Sequence, residues 1–258
     1  MESSPQDLGW VEPSLTFGNN SVKLIRSIGM GRTSIVYEGK LNDESVAVKM
    51  AKKTDYLSCF EKEIQVLTDL STLNSSHIPK ILCYSNNAFV MTPIGVRVNN
   101  LRKNDIKDII TTLQNIPSRG IIHRDLRKFN FIRDLDDLRE NILIVDWGYS
   151  TDTNSSTSFA GALECMPDHV LRSLINDEAI TYGPQVDLTC FVRSFYLMLH
   201  RPSTDRVPFE KQDDTKQRAQ VLLDFWKNSR QSVVWNQIYN SIDELDYNQL
   251  IRDLESLF

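Results

Sequence analysis

The stretch HRDLRKFN, residues 123–130, sets His, Arg, Asp, Arg, Lys and Asn in a loop between the apolar pairs Ile121-Ile122 and Phe131-Ile132. Asp125 carries a carboxylate able to take a proton from a hydroxyl nucleophile. Asn130 follows in the same loop, and Asp146 ends the apolar run ILIV just before Trp147-Gly148. A carboxamide and a carboxylate brought together are hard oxygen ligands suited to Mg²⁺. Taken singly, each is an ordinary turn or capping residue. Upstream, GMGRTS holds Gly29 and Gly31 between two strand-like stretches. Glycines there let backbone N–H groups approach phosphate oxygens with no Cβ in the way. A strand follows rather than a helix, which disfavours the helix-opening dinucleotide motif. Lys49 lies in VAVK, where strand alternation puts Val46 and Val48 on one face and Ala47 and Lys49 on the other. Ala47 is small and leaves room for a flat ring. Glu63 is the candidate partner of Lys49, with Glu61 the competitor; Glu63 borders the apolar stripe of its helix more closely.

These groups must be positioned by the elements around them. Residues 1–20, with Pro5, Gly9, Pro13, Gly18 and Asn19-Asn20, read as an irregular leader. SVKLIRSI, SIVYEGKL and VAVKM alternate as strands, with Asn42-Asp43 as a hairpin signal, and predict a three-strand antiparallel meander. In residues 57–70, Leu57, Phe60, Ile64, Leu67 and Leu70 recur at three- and four-residue spacing, the stripe of a helix. KILCYS and AFVMT add two short strands joined at Asn86-Asn87. NDIKDIITTLQNI opens a helical region that stops at Pro117 and Gly120, an acidic turn DLDDLREN precedes ILIV, and residues from about Pro184 to Phe258 are mostly amphipathic helix.

The 258 residues are 41% hydrophobic and 24% charged, with a net charge of −5, an ordinary globular balance. That charge argues against a general basic field for nucleic acid. The scattered cysteines Cys59, Cys83, Cys165 and Cys190 form no CxxC pair, so neither a zinc site nor a disulfide framework is expected. MESSPQDLGW lacks a basic start and apolar core, and no apolar run approaches the roughly 18–20 residues of a membrane span. A cytoplasmic or nuclear chain is expected, monomeric, with no nucleic-acid or membrane partner.

In order, the motifs run G-x-G-x-x-S-x-V, V-A-V-K, a helical Glu, H-R-D-x-x-x-x-N and D-W-G. Together they resemble the eukaryotic protein kinase family, strongly from Ser21 to Leu199. The resemblance implies an α+β, two-lobed protein-kinase-like fold. Its N-lobe (21–92) is a five-stranded antiparallel sheet plus one helix, its hinge lies at 92–96, and its C-lobe (97–258) is mainly helical. It further implies ATP and Mg²⁺ as ligands and a protein substrate. Ile28, Gly29, Gly31 and Ser34 would then belong to the lid over the phosphates, and Lys49 would hold the α- and β-phosphates, positioned by Glu63. Val36 and Ala47 would cover the adenine from above and Ile132 from below. Met91, Thr92 and Ile94 would line the hinge; because Pro93 has no N–H, placing Met91 at the back of the pocket lets Ile94 donate. Asp125 would be the catalytic base, Arg127 a cation for the γ-phosphate, and Asn130 and Asp146 the metal ligands. His123 and Trp147 would pack beneath the site, Arg124 would face a phosphorylated activation loop, and Asp187 would hold the catalytic loop's backbone.

Several positions depart from the family pattern. Ser34 replaces the third lid Gly, and Trp147 the usual Phe. Arg127 stands where Ser/Thr kinases carry Lys, and Phe129 where tyrosine kinases carry Arg. In GALECMPDHVL an ungapped alignment puts Ala162 at a Thr that orients the base and Asp168-His169 at the terminal Pro-Glu. A one-residue gap instead matches Pro167-Asp168 to Pro-Glu, and both alignments stand. Thr153, Ser155, Ser156, Thr157 and Ser158 read equally as a flexible polar loop or as a phosphorylation site facing Arg124. An active Ser/Thr-type protein kinase is the first expectation. A pseudokinase is its alternative. A small-molecule phosphotransferase fits HRD and GALECM poorly.

Overall fold

In the computed structural model, which describes residues 13–135, 140–200 and 214–258, the chain divides into two compact units. One comprises Met1–Phe60 and Ile81–Ile94, the other Glu61–Lys80 and Gly95–Phe258. The first twelve residues of the expected leader and the centre of the acidic turn, 136–139, lie outside the described residues.

The first unit is built on a sheet. Its strands are β1 (Ser14–Phe17), β2 (Asn20–Met30), β3 (Ser34–Leu41) and β4 (Glu44–Ala51). After helix α1 (Leu57–Leu70) come β5 (Lys80–Tyr84) and β6 (Ala88–Thr92), and the sheet order is β1-β2-β3-β4-β6-β5. The β2–β3–β4 meander is as expected, and Asn42 and Asp43 at its second turn have φ of 51° and 68°. Two consecutive left-handed residues are what a two-residue hairpin needs, and Asn and Asp tolerate them. The sheet has six strands rather than five. The extra one, Ser14–Phe17, comes from the stretch expected to be irregular and pairs antiparallel with β2, Leu15 opposite Val22. Phe17, Val22, Val46, Val48, Ala88 and Val90 form a core on one face of the sheet.

Helix α1 begins in this unit, and Glu61–Leu70 with the following segment belong to the second. The reason is visible after the helix: His77 Nδ1 lies 2.8 Å from the Ile142 carbonyl, and Ile144 N–H donates to the His77 carbonyl at 2.9 Å. On α1, Phe60, Glu63, Val66, Leu67 and Leu70 are buried, while Glu61 is exposed. That separates the two candidate glutamates.

The second unit opens with β7 (Gly95–Arg97) and α2 (Lys103–Asn115), then β8 (Ile121–Ile122), β9 (Phe131–Asp134) and β10 (Ile142–Ile144). A three-stranded sheet runs β10-β9-β7. Asp105 fastens α2 to it: its carboxylate accepts the Arg102 N–H at 2.6 Å and pairs in two-pronged fashion with Arg133 of β9, at 3.1 and 2.6 Å. The chain continues through β11 (Thr151–Asp152), β12 (Ser156–Thr157), α3 (Asp168–Asn176) and β13 (Ile180–Thr181). It ends in α4 (Pro184–Leu199), α5 (Thr215–Ser229), α6 (Val233–Asp243) and α7 (Tyr247–Glu255). Helix α4 starts on a proline, whose missing N–H is no loss in a first turn. It is buried almost all round, from Val186 to Phe195, where an amphipathic helix was expected, because it runs through the centre of the packed helices. Among the described residues no helix is long and apolar enough to cross a membrane.

Candidate active site

The candidate nucleotide residues of the first unit share one face of its sheet. Gly29 pairs with Val36, Val36 with Lys49 and Lys49 with Phe89, while one step along Ala47 pairs with Met91. Residues in register across neighbouring strands point to the same side, and this side is opposite the Val46, Val48 and Val90 core. Lys49 is buried, its Nζ 5.9 Å from the ring centres of both Phe60 and Phe89. The glycine lid differs in detail from expectation. Strand β2 runs on to Met30, so Ile28 and Gly29 are strand residues and only Gly31 lies in the turn. Gly31 N–H donates to the Ser34 carbonyl at 2.9 Å, and Lys52 Nζ donates to the Gly31 carbonyl at 2.5 Å. Thr92 closes β6, and Met91 and Ile94 are buried around it.

In the second unit one loop joins Asp125 to Asn130, and the end of β10 brings Asp146 next to that loop. Asn130 Nδ2 donates to both the Asp125 carbonyl, at 2.7 Å, and Asp125 Oδ2, at 2.9 Å. With its amide hydrogens committed inside the loop, the Asn130 side-chain oxygen remains as its donor to a cation. Val145 N–H donates to the Asn130 carbonyl at 2.9 Å, which ties the end of β10 to the loop and sets Asp146 beside it. Asp146 itself is left-handed, φ 70° and ψ 59°, a conformation unusual for a residue with a Cβ and held here by its surroundings. Among the described residues no cluster of three or more His, Cys, Asp or Glu forms a self-contained metal cage. Asn130 with Asp146 suits Mg²⁺, which is commonly held by one or two protein oxygens together with substrate phosphates and water. Ile132 follows on β9, opposite Leu143.

Asp125 is almost wholly buried, and among the described residues its Oδ1 has no hydrogen-bond partner. Burial pushes its carboxyl up to about 7; the Arg127 charge and the Asn130 amide oppose that, and the negative charge of Asp146 reinforces it. Arg127 Nε lies 3.4 Å from Asp125 Oδ2, a charge contact rather than a hydrogen bond. The loop's backbone is fixed from α4, as the sequence leads one to expect: Asp187 accepts the His123 and Arg124 N–H groups at 2.7 and 2.8 Å. The His123 and Trp147 rings pack at 4.4 Å, and Trp147 Nε1 donates to the Ile144 carbonyl at 2.9 Å.

Three contacts add detail to the reading of the sequence. Glu63 Oε1 accepts the Trp147 N–H at 3.3 Å, so the helical glutamate anchors the residue after Asp146. Arg124 donates to the Thr157 hydroxyl at 2.8 Å and to the Tyr149 carbonyl at 2.6 Å, so the unmodified segment already satisfies it. Arg193, fully buried on α4, donates to the Met166 carbonyl and to Asp168 Oδ1, and its guanidinium lies 4.7 Å from the Trp226 ring. The one available signal for Arg193 is a lone charge inside the apolar run LTCFVRSFYLML. The Arg193 pair favours the alignment that ends the segment at Pro167-Asp168.

A sequence model of the family described as Protein kinase domain matches residues 22–255. The chain is 24% identical over 226 residues to Dual specificity protein kinase pyk3 of Dictyostelium discoideum, covering 81% of this chain and 16% of that protein. It is 32% identical over 155 residues to Serine/threonine-protein kinase D of Synechocystis sp., covering 51% of this chain and 30% of that protein. The chain therefore spans less than a third of the length of either relative. Among solved structures, that of vaccinia related kinase 3 aligns with a TM-score of 0.69 at 14% identity, covering 100% of this chain and 91% of the other, a likeness of fold.

Proposed function

Because the chain belongs to the protein kinase domain family, we propose that it transfers the γ-phosphate of ATP, with Mg²⁺, to serine or threonine hydroxyls of proteins. The observation that carries this reading is the convergence of Asp125, Asn130 and Asp146 through the Asn130 amide and the Val145–Asn130 backbone bond. Asp125 takes the proton of the acceptor hydroxyl as that oxygen bonds to the γ-phosphorus; the bond to the β–γ bridging oxygen breaks, and that oxygen leaves on ADP. Its Oδ1, which has no hydrogen-bond partner among the described residues, is the acceptor for this proton. Arg127 offsets charge on the transferred group, and Lys49 holds the α- and β-phosphates. Asn130 and Asp146 would hold the divalent cation, which would spread the phosphate charge. The lid is assigned to Ile28, Gly29, Gly31 and Ser34, the adenine to Val36 and Ala47, and the hinge bonds to the Met91–Ile94 stretch. Phe129 in place of a tyrosine-kinase arginine supports hydroxyls of Ser and Thr, as does a relative named a serine/threonine kinase.

A second reading, nucleotide binding with little transfer, is favoured by Ala162. This buried residue supplies no hydroxyl to the segment. Incubation with Mg²⁺, labelled ATP and a generic protein substrate, beside an Asp146→Asn control, separates the two. Transfer that disappears in the control supports the enzyme; no transfer, or transfer indifferent to the substitution, rejects it.

A further inference from the structure

The catalytic loop carries an outer group that phosphate transfer leaves unused. Phe129 is 50% exposed. Lys128 Nζ lies 5.1 Å from its ring centre, and the Arg97 and Arg127 guanidinium carbons each lie 5.9 Å away. Arg97 arrives from β7, where it pairs with Ile132 of β9, so strand and loop bring three cations to one ring. A ring face attracts cations through its quadrupole, but it carries no net charge and neutralises none of them. Among the described residues Arg97 and Lys128 have no carboxylate partner. In a chain of net charge −5 this concentration stands against the average.

We propose that Arg97, Lys128 and Phe129 form a specificity subsite that selects protein substrates with acidic side chains near the acceptor hydroxyl. The inference rests on the transferase reading above. Arg127 links the two places, within 3.4 Å of Asp125 and 5.9 Å of the Phe129 ring centre. An extended peptide advances about 3.3 Å per residue, so a carboxylate on Arg97 and Lys128 sits about one to three residues from a hydroxyl at Asp125. An acidic peptide fits better than nucleic acid, because strand-tracking sites use a longer basic groove with several stacking rings. Here one ring carries all the cations. The phenyl face then packs on the aliphatic part of the acidic residue or on its neighbour.

The test uses the full chain and peptides that differ only in Glu, Gln or Lys around one serine. Turnover is read as kcat/KM, and peptide binding by fluorescence anisotropy at low and high salt. The Glu peptide is expected to exceed the Lys peptide by roughly tenfold or more, mainly through KM, with the advantage shrinking as salt rises. Arg97→Glu with Lys128→Glu is expected to abolish or invert that preference while ATP KM and turnover of the Gln peptide stay unchanged. Arg97→Gln with Lys128→Gln gives an intermediate preference and guards against misfolding of the reversal. Turnover without acid preference, or preference untouched by the reversal, overturns the subsite and leaves the transferase reading standing. Salt-sensitive acidic-peptide binding that the reversal abolishes, without turnover of any peptide, upholds the subsite and rejects the transferase reading. A labelled single-stranded RNA that binds more tightly than the Glu peptide, through the same residues, also overturns the proposal.

Discussion

Arg193 offers the sharpest test of how the segment after the catalytic loop is held. Its guanidinium is fully buried, donates to the Met166 carbonyl and Asp168, and lies 4.7 Å from the Trp226 ring. Arg193→Met keeps the volume and removes the charge, leaving a carbonyl and a carboxylate facing an apolar surface. Breaking a buried pair on one side costs about 3–5 kcal/mol. The Asp168 side chain is 20% exposed, and Arg172 lies 3.8 Å from its other oxygen, so water and a second cation recover part of that loss. About 1 kcal/mol of cation–ring attraction goes with it. The expected destabilisation is about 4 kcal/mol, a large part of the roughly 5–15 kcal/mol of a typical domain. Asp168→Ala, which strands the buried guanidinium, should cost a similar amount. The double variant should cost far less than their sum, with a coupling of about 2 kcal/mol or more. Urea unfolding followed by tryptophan fluorescence measures all three. A loss under about 1 kcal/mol for Arg193→Met, or additivity in the cycle, would refute the pair as the anchor of this segment. A larger loss for His169→Ala than for Asp168→Ala would restore the ungapped alignment.

Asp125→Asn keeps shape and removes the proton acceptor, so kcat should fall about 10²–10⁴-fold with ATP KM nearly unchanged, as steady-state kinetics will show. Gly161 has φ 109°, and a Cβ there would lie 2.1 Å from the Arg124 carbonyl oxygen; Gly161→Ala should therefore displace the segment, lowering both the melting temperature and turnover. Asp105→Ala leaves Arg133 buried without its two-pronged partner and should destabilise by about 3–5 kcal/mol in the same urea assay. Partial burial holds the His169 imidazole below its ordinary value, against the Thr181 backbone bond and the Asp168 charge, although the residue keeps much of its surface in water. Its contribution to stability is therefore small; it is complete above pH ~6.5 and is lost as pH falls through the lower folded value. Melting temperatures of the wild type should drop more steeply below pH ~6.5 than those of His169→Gln.

The candidate site residues could be picked out in the sequence because each is marked by its local surroundings. Asp125 and Asn130 share one loop, Asp146 ends an apolar strand, and Lys49 sits on an alternating strand; residue type and local period are enough to pick them out. The Asn42-Asp43 hairpin is legible for the same reason, since the left-handed turn is a property of two adjacent residues. What the sequence left open turns on partners far along the chain. β1 is four residues long and gains its hydrogen bonds only from β2, so nothing local distinguishes it from a leader. Glu63 could be preferred to Glu61 from the apolar stripe of its helix, but its acceptor role could not. The bond of Glu63 to Trp147, like that of Arg193 to Asp168, closes once the core is packed. Local sequence sets which groups are available and how the backbone bends around them. Tertiary packing decides which buried donor meets which acceptor, because a buried polar group is tolerated only where distant segments bring it a partner.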